Sequence, residues 1–546
     1  MKRIEKFLQS HAGHILLFLL CWIGLIVFYF PAHGAMLIDD GVSGIYEIQI
    51  KGFKGYLDSF GFDSFYYGHY AFVALVYLLF GCNTFGWFLV FTALHALNTV
   101  LIFKTFNSLY TQLGNANANC WMALSGAMLF LFSSYQSENI VWAATSHYAI
   151  CLSILLLSIQ FVLDSCSLKK TSFPLWVFHI LFAFALLTLE ISFIYPFVYG
   201  LLFVLLLVYQ RNQLPLFSFF LKIILPQCLL IGIYLMCYKF RHGSWIPHDR
   251  APLEAVVGIG DMVTTFSQHL LKLFGFVHYL DFPKRDFVYK LCLHWKKVGM
   301  VLGVCAIALS YFFYLKGNKK IVLYWFFLLC GLLMFAPFLR LYFMYLARIE
   351  NDRYSYFGSV VFFQLAVFVL FQFPSLVRFV VLTIYLGVFT FFNLQNIQAR
   401  HMSAVMNDTF LNKYPDQHLG QIYLLNVPVS CADAYMYRSK GRIPIAYQVK
   451  FSKPLVPEPI QVAWYNAQTN HDSFEVKKID NQTYHVQLKT NGSWWMNESM
   501  GAVEYKDSLY HFIPDEWGGY TIKFYNPLAK GDAILWFDGR QFKQAN

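Results

Sequence analysis

Residues 14–41 read HILLFLLCWIGLIVFYFPAHGAMLIDDG. From Ile15 to Ala32 no charged side chain interrupts the run, and its length is close to the ~20 residues with which an α-helix crosses the hydrocarbon core of a bilayer. Just beyond it stand two adjacent carboxylates, Asp39 and Asp40. The basic segment MKRIEKFLQSHAGH comes before the run. A signal peptide shares that order, but no small-residue cleavage site follows and further apolar runs do. The expectation is a retained first helix whose N-terminus is cytoplasmic.

The whole chain repeats this pattern. Of its 546 residues 58% are hydrophobic, 20% aromatic and only 13% charged, against about 25% charged in a soluble protein. Apolar runs recur at roughly 86–108, 120–134, 148–165, 174–190, 192–209, 218–238, 298–315, 321–338, 357–373 and 376–395. With the first run they predict a polytopic α-helical membrane protein of about eleven spans. Alternation from a cytoplasmic N-terminus puts Lys169 and Lys170, Arg211, Lys316 to Lys320 and Arg378 inside, as the excess of basic residues in cytoplasmic loops requires. The long segments 33–85, 135–147, 239–297 and 339–356 then lie outside. Residues 261–282 (DMVTTFSQHLLKLFGFVHYLDF) are apolar enough to touch the membrane, but as a full span they would invert every later loop. They read as an interfacial or re-entrant helix. The net charge of +11 is spread over loops, with no zinc-finger spacing and no basic tail, so the lipid bilayer rather than nucleic acid is the expected partner.

From about residue 400 the composition changes. IPIAYQVKF, IQVAWY, TYHVQLK, GYTIKFY and AILWFDG alternate apolar and polar residues and are separated by Pro, Gly, Asn and Asp, which is a strand-and-turn pattern. The expected division is a transmembrane domain over 1–398 and a β-rich extracytoplasmic domain over 399–546. Asn407, Asn481, Asn491 and Asn497 each open an N-x-S/T triplet. Trp464, Trp494, Trp495, Trp517 and Trp536 read mainly as core of this domain. Most of the eleven cysteines sit inside apolar runs, and the C-terminal region holds only Cys431, which excludes a disulfide within it.

Adjacent carboxylates repel, so one of the Asp39/Asp40 pair should hold its proton more tightly and suit proton abstraction from a hydroxyl. A carboxylate pair also binds divalent cations, but no further oxygen ligands accompany it, and a metal stays an open question. The next segments are Leu79–Phe103 (LFGCNTFGWFLVFTALHALNTVLIF), Ser134–His147 (SYQSENIVWAATSH), LLTLEISFIYP with Glu190 and Pro196, and NDRYSYFGS with Arg353, Tyr354 and Tyr356.

In this order the segments resemble the GT-C superfamily of integral-membrane glycosyltransferases that use polyprenyl-phosphate sugars. Most similar are the protein O-mannosyltransferases that carry tetratricopeptide repeats. The likeness covers roughly 30–200 and 340–360. It rests on the acidic pair, on Phe80, Gly81, Asn83, Phe85, Gly86, His95, Ala96, Leu97 and Asn98, on Glu138, Val141 and Trp142, and on the RYxY element. Phe88 and Leu189 stand where the family has His and Lys, and no tetratricopeptide repeat follows.

The resemblance implies a GT-C-like fold and inverting transfer of a sugar from a polyprenyl-phosphate donor to a hydroxyl of a protein or glycan acceptor on the extracytoplasmic face. Asp39 or Asp40 would be the base, with Glu138 orienting acceptor or sugar hydroxyls. Arg353 would bind the donor phosphate, with Arg340, Arg348 and His147 as further candidates. Glu190, Tyr354 and His69 would contact substrate; Tyr66, Tyr67 and Tyr70 around His69 suit a sugar face or a membrane-interface belt. His95 reads as an interhelical packing residue. The competing reading is a transporter or flippase of a lipid-linked or small solute, which calls for paired charges within the spans and interrupted helices. A scaffold that anchors the outer domain would not need eleven helices.

Overall fold

The computed structural model describes residues 2–545 apart from 61–64, 115–118, 168–170, 244, 246–257, 281, 340–351, 417–419, 433, 438–440, 470–471, 473, 490–493, 497–502 and 516–517. Arg340, Arg348, Lys169, Lys170, Asn491, Asn497 and Trp517 therefore lie outside the described residues. Among the described residues nine helices are long and apolar enough to cross a membrane: His11–Ala35, Thr84–Gln112, Ala143–Cys166, Glu190–Val208, Leu216–His242, Trp295–Lys316, Asn318–Phe338, Asp352–Leu370 and Ser375–Lys413. Each coincides with an expected span. Trp295–Lys316 and the apolar part of Ser375–Lys413 leave almost all of their side chains outside the protein. Such a surface is untenable in water and ordinary in lipid. The molecule thus has the features of a multi-pass membrane protein.

Two expected spans are shorter helices, Asn119–Phe132 and Leu175–Leu186. Each is cut off by a polar turn that the interior needs. Ser133 accepts from the Tyr135 backbone as the chain tucks Ser134 and Gln136 inside. Leu189 adopts extended backbone (φ −164°, ψ 135°) before the turn that carries Glu190.

The segment 33–85, expected as a loop, is largely helical. Asp40–Phe60 buries Val42, Ile45 and Ile48 at helical spacing and is kinked at Gly52 (φ 67°, ψ 176°). Tyr67–Phe80 follows. The FGCNTFG stretch then has a structural explanation. Asn83 caps Thr84–Gln112 by accepting from the backbones of Phe85 and Gly86 (3.0 and 3.3 Å). A side chain at Gly86 would meet the Phe80 ring at 2.3 Å.

Within 261–282 the chain forms the 17-residue helix Ile259–Gly275, below spanning length. Its polar face (Ser267, Gln268, His269, Lys272) is turned into the protein.

Ser375–Lys413 is a single 39-residue helix, about 60 Å long at 1.5 Å per residue. The expected boundary at 399 therefore falls inside a helix, and the first strand starts at Ile422. Beyond it lie three sheets. One is antiparallel, in the spatial order Phe474–Lys478, Thr483–Leu488, Gly519–Phe524, Tyr510–Pro514, Tyr505–Lys506. A second, mixed sheet runs Phe542–Gln544, Ala533–Phe537, Ile422–Leu424, Ile460–Gln461, and a third runs Ala434–Tyr435, Val427–Cys431, Trp464–Ala467, Trp494–Met496. Alternate residues Tyr484, Val486, Leu488 and Tyr520, Ile522, Phe524 fill the core with Trp464 and Trp495.

IPIAYQVKF corrects the strand reading, because it lies within the helix Arg442–Phe451. Ile443, Ala446 and Tyr447 are its buried residues, a helical rather than an alternating spacing. Pro444 falls in the first turn, where its missing N–H breaks no helical bond. This helix packs on Asp40–Phe60, joining the C-terminal domain to the membrane region.

The mixed sheet is pinned by a close backbone approach. A Cβ at Gly420 would lie 2.1 Å from the Gly531 carbonyl oxygen. Gly420→Ala is expected to destabilise the C-terminal domain by about 1–3 kcal/mol. This would be seen as a lower midpoint in thermal unfolding of the full chain in detergent. Gly387→Ala, where nothing lies within 4 Å, serves as the control, and equal midpoints would refute the close approach.

Candidate active site

The candidate site forms where three separated stretches meet at one end of the helices. The stretch 137–145 is tied to the end of the first helix by Trp142, whose indole donates to the Ile38 carbonyl (3.1 Å), and by the Ala143 N–H, which donates to Met36 (3.1 Å). Asp352–Ser355 packs on its other side. The segments that carry the family resemblance therefore touch one another. The Tyr356 hydroxyl accepts from Asn98 (3.2 Å) and bonds His95 Nδ1 (3.1 Å). Asn98 also donates to the Ala149 carbonyl and accepts from Ser153. His95 is thus a packing residue between helices, as read from the sequence.

The fold distinguishes the two aspartates. Asp40 begins the helix Asp40–Phe60, and its side chain lies outside the described atoms. Asp39 sits immediately before it with φ 54°, left-handed backbone that is uncommon for a non-glycine residue. Its carboxylate is fully buried and faces the Arg442 Nε at 3.8 Å. Arg442 in turn donates to the Ser43 hydroxyl. The C-terminal domain thus supplies the cation beside the acidic pair.

Glu138 is buried and accepts twice from one residue: the Arg353 backbone N–H at 2.8 Å and Nη1 of its guanidinium at 2.5 Å. That guanidinium also lies over the rings of Tyr354 (4.7 Å) and Trp142 (5.7 Å). Two residues expected in separate roles therefore neutralise each other. A free loop cation for phosphate is not what Arg353 presents here.

Three charged residues outside the sequence reading complete the cluster. Lys272 and Asp352 form an ion pair at 2.5 Å with both side chains fully buried. Arg400, on Ser375–Lys413, is 2% exposed and has no hydrogen-bond or ion-pair partner among the described residues. It interacts electrostatically with Glu138, Asp352 and Arg353. Among the described residues three cations (Lys272, Arg353, Arg400) face two anions (Glu138, Asp352), a formal excess of one positive charge. An uncompensated charge inside a protein is costly, so the cluster is suited to an anionic ligand. The lone Lys272 in an otherwise apolar amphipathic stretch was a usable signal in the sequence. Arg400 and Arg442 had none, because both sit in ordinary polar surroundings along the chain.

Two cavities border the helix Arg442–Phe451. One, of about 740 Å³, has Asp39, His33, His401, Asp408 and Lys450 among its lining residues. The other, of about 420 Å³, is lined by Tyr56, Tyr66, Tyr70, His69, His147 and Glu47, with Ser43 and Arg442 at its edge. His69, an expected substrate contact, and His147, an expected donor-phosphate candidate, stand together here with ring centroids 4.8 Å apart. His69 bonds the Ser146 hydroxyl (3.0 Å). Burial pushes its pKa down to about 4, so it is a neutral hydrogen-bonding group at pH 7. The ring of Tyr148 lies beside both His147 (4.5 Å) and Tyr354 (6.4 Å), linking this cavity to the Glu138–Arg353 pair.

Glu190 is not brought into either cavity. It accepts from the Tyr234 hydroxyl (3.3 Å) and bonds Tyr66, an interhelical role. Among the described residues no group of three or more His, Cys, Asp or Glu side chains is placed to hold a metal ion.

The Glu138–Arg353 pair gives a direct stability test. Arg353→Met leaves Glu138 buried without its partner and should cost about 3–5 kcal/mol. The double variant Glu138→Gln/Arg353→Met should recover most of that. Thermal unfolding of the four proteins in one detergent measures the coupling, and additive losses would show that the two side chains do not depend on each other. Compared with known protein families and with curated proteins, the chain matches none.

Proposed function

We propose that the chain is an inverting glycosyltransferase of the GT-C type, moving a sugar from a polyprenyl-phosphate donor to a hydroxyl acceptor, protein or glycan, on the extracytoplasmic side of its membrane. The observation that carries this reading is the grouping at one end of the helices of a buried carboxylate, a cavity walled by tyrosines and histidines, and a buried cluster with excess positive charge. These match the three needs of the reaction: a base, a sugar-sized polar and aromatic pocket, and cations for a phosphate.

In this mechanism the acceptor oxygen attacks the anomeric carbon on the face opposite the phosphate. The bond between that carbon and the phosphate oxygen breaks, and its electron pair leaves with the lipid phosphate. The acceptor proton passes to the Asp39 carboxylate. Negative charge grows on the departing phosphate, so preplaced cations accelerate the step. Arg400, which has no carboxylate partner among the described residues, takes the role expected of Arg353. Arg353, held by Glu138, packs over Tyr354 and Trp142. The 420 Å³ cavity receives the sugar, whose apolar face stacks on Tyr66 or Tyr70 while His69 and His147 bond its hydroxyls. Asp352 and Arg353 lie at the head of a helix, Lys272 on the short Ile259–Gly275 helix and Arg400 beyond the apolar part of Ser375–Lys413, which favours chemistry at one membrane face over solute passage.

Full-length protein in nanodiscs would be offered labelled polyprenyl-phosphate sugars and a mixed extract of acceptors. Asp39→Asn should lower transfer about 10²–10⁴-fold while still binding donor. Arg400→Gln should weaken donor binding about tenfold or more, as loss of a hydrogen bond to a charged group predicts. Undiminished transfer by Asp39→Asn would refute its role as base. Absence of transfer from every donor, with specific solute uptake into liposomes, would establish the transporter instead.

A further inference from the structure

The C-terminal domain reaches the candidate site with Tyr435, whose ring lies 6.0 Å from that of Trp142, and with the helix Arg442–Phe451. Its first residue, Arg442, is about one-fifth exposed and spans from the Asp39 carboxylate to the Ser43 hydroxyl one turn further along Asp40–Phe60. Arg442 and Ile445 wall the 420 Å³ cavity, while Ala446, Val449 and Lys450 on the adjoining face wall the 740 Å³ cavity. The helix is therefore the partition between the two spaces, and Asp39 lies at its foot. Asp39 also holds left-handed backbone at φ 54°. Strain of that kind persists where the surrounding structure over-determines a position, and the arginine from the other domain is part of what determines it.

We propose that the C-terminal domain is a working part of the active site: Arg442 is a positioning residue that orients the Asp39 carboxylate toward the larger cavity, through which the acceptor hydroxyl arrives. The inference rests on the glycosyltransferase reading and on Asp39 as its base. It assigns the β-rich domain a role that an appended binding module would not have. Arg442 touches neither the sugar nor the phosphate in this scheme. Its loss misplaces a carboxylate that is otherwise intact, so turnover falls and donor affinity does not.

The test uses the full-length protein in nanodiscs, with labelled polyprenyl-phosphate sugar as donor and the acceptor extract that supports wild-type transfer. Arg442→Ala, assayed well below its own melting temperature, should lower kcat by 10- to 100-fold with the donor KM within twofold of wild type. Arg442→Lys, which keeps the charge and loses the second nitrogen, should recover part of the activity. Guanidinium chloride at millimolar concentration should raise kcat of Arg442→Ala several-fold where sodium chloride does not. Wild-type kcat in Arg442→Ala overturns the proposal while leaving the glycosyltransferase reading intact. So does a loss that follows the melting temperature and is not rescued. If wild type itself transfers no sugar from any donor, the underlying reading fails and the proposal with it.

Discussion

Two consecutive residues, Asp352 and Arg353, bring buried charge into the protein interior at the head of a helix, and the rest of the site is arranged around neutralising them. Asp352 takes Lys272 from the short Ile259–Gly275 helix, and Arg353 takes Glu138 from the five-residue helix Ser137–Val141. Neither pair is a cheap way to gain stability, because removing two ions from water cancels much of their attraction. They do impose register. With Asp352 and Arg353 adjacent in the chain, the two partner segments can approach only from their own sides. The loss of either contact leaves a bare charge in a dry interior.

That constraint explains why stretches far apart in sequence are brought within bonding distance. Glu138 is held by Arg353, and the same short segment carries Trp142, which bonds the Ile38 carbonyl beside Asp39. A few residues on, His147 and Tyr148 begin the next span and carry the contact on to His69 and Tyr354. Hydrogen bonding from His95 and Asn98 to Tyr356 fixes the same helix one turn below. The cavity between these parts is lined by side chains whose partners lie on several different elements, so its shape is set by the pairs rather than by any one loop. Among the described residues Arg400 stands apart as the cluster's cation with no ion-pair carboxylate, although Glu138 and Asp352 act on it electrostatically.

The C-terminal domain shares in this arrangement. Its Arg442 helix lies against the Asp40 helix and contributes wall to both cavities. Two domains that differ in composition, one suited to lipid and one built as sheets, are thereby joined through charge at a single buried carboxylate.

The sequence by itself determined the class of the molecule. Apolar runs of bilayer length are a property of consecutive residues, and nine of the eleven expected spans, with five of the thirteen strands among the described residues, follow from local pattern. The acidic pair and the family resemblance singled out Asp39, Asp40, Glu138, Arg353, His69 and His147 as candidates. Only the tertiary structure decided what those groups do to one another. That Glu138 and Arg353 cancel, that Glu190 is an interhelical hydrogen-bond acceptor, that Asp39 faces a cation, and that Arg400 has no carboxylate partner among the described residues all depend on contacts between distant segments. Helix against strand at IPIAYQVKF was decided the same way, since Ile443, Ala446 and Tyr447 reveal their shared face only when the Asp40 helix and the sheet core are present to bury it. Hydropathy acts over neighbouring residues and can be read along a line; charge compensation acts through space, across whichever segments the fold has brought together.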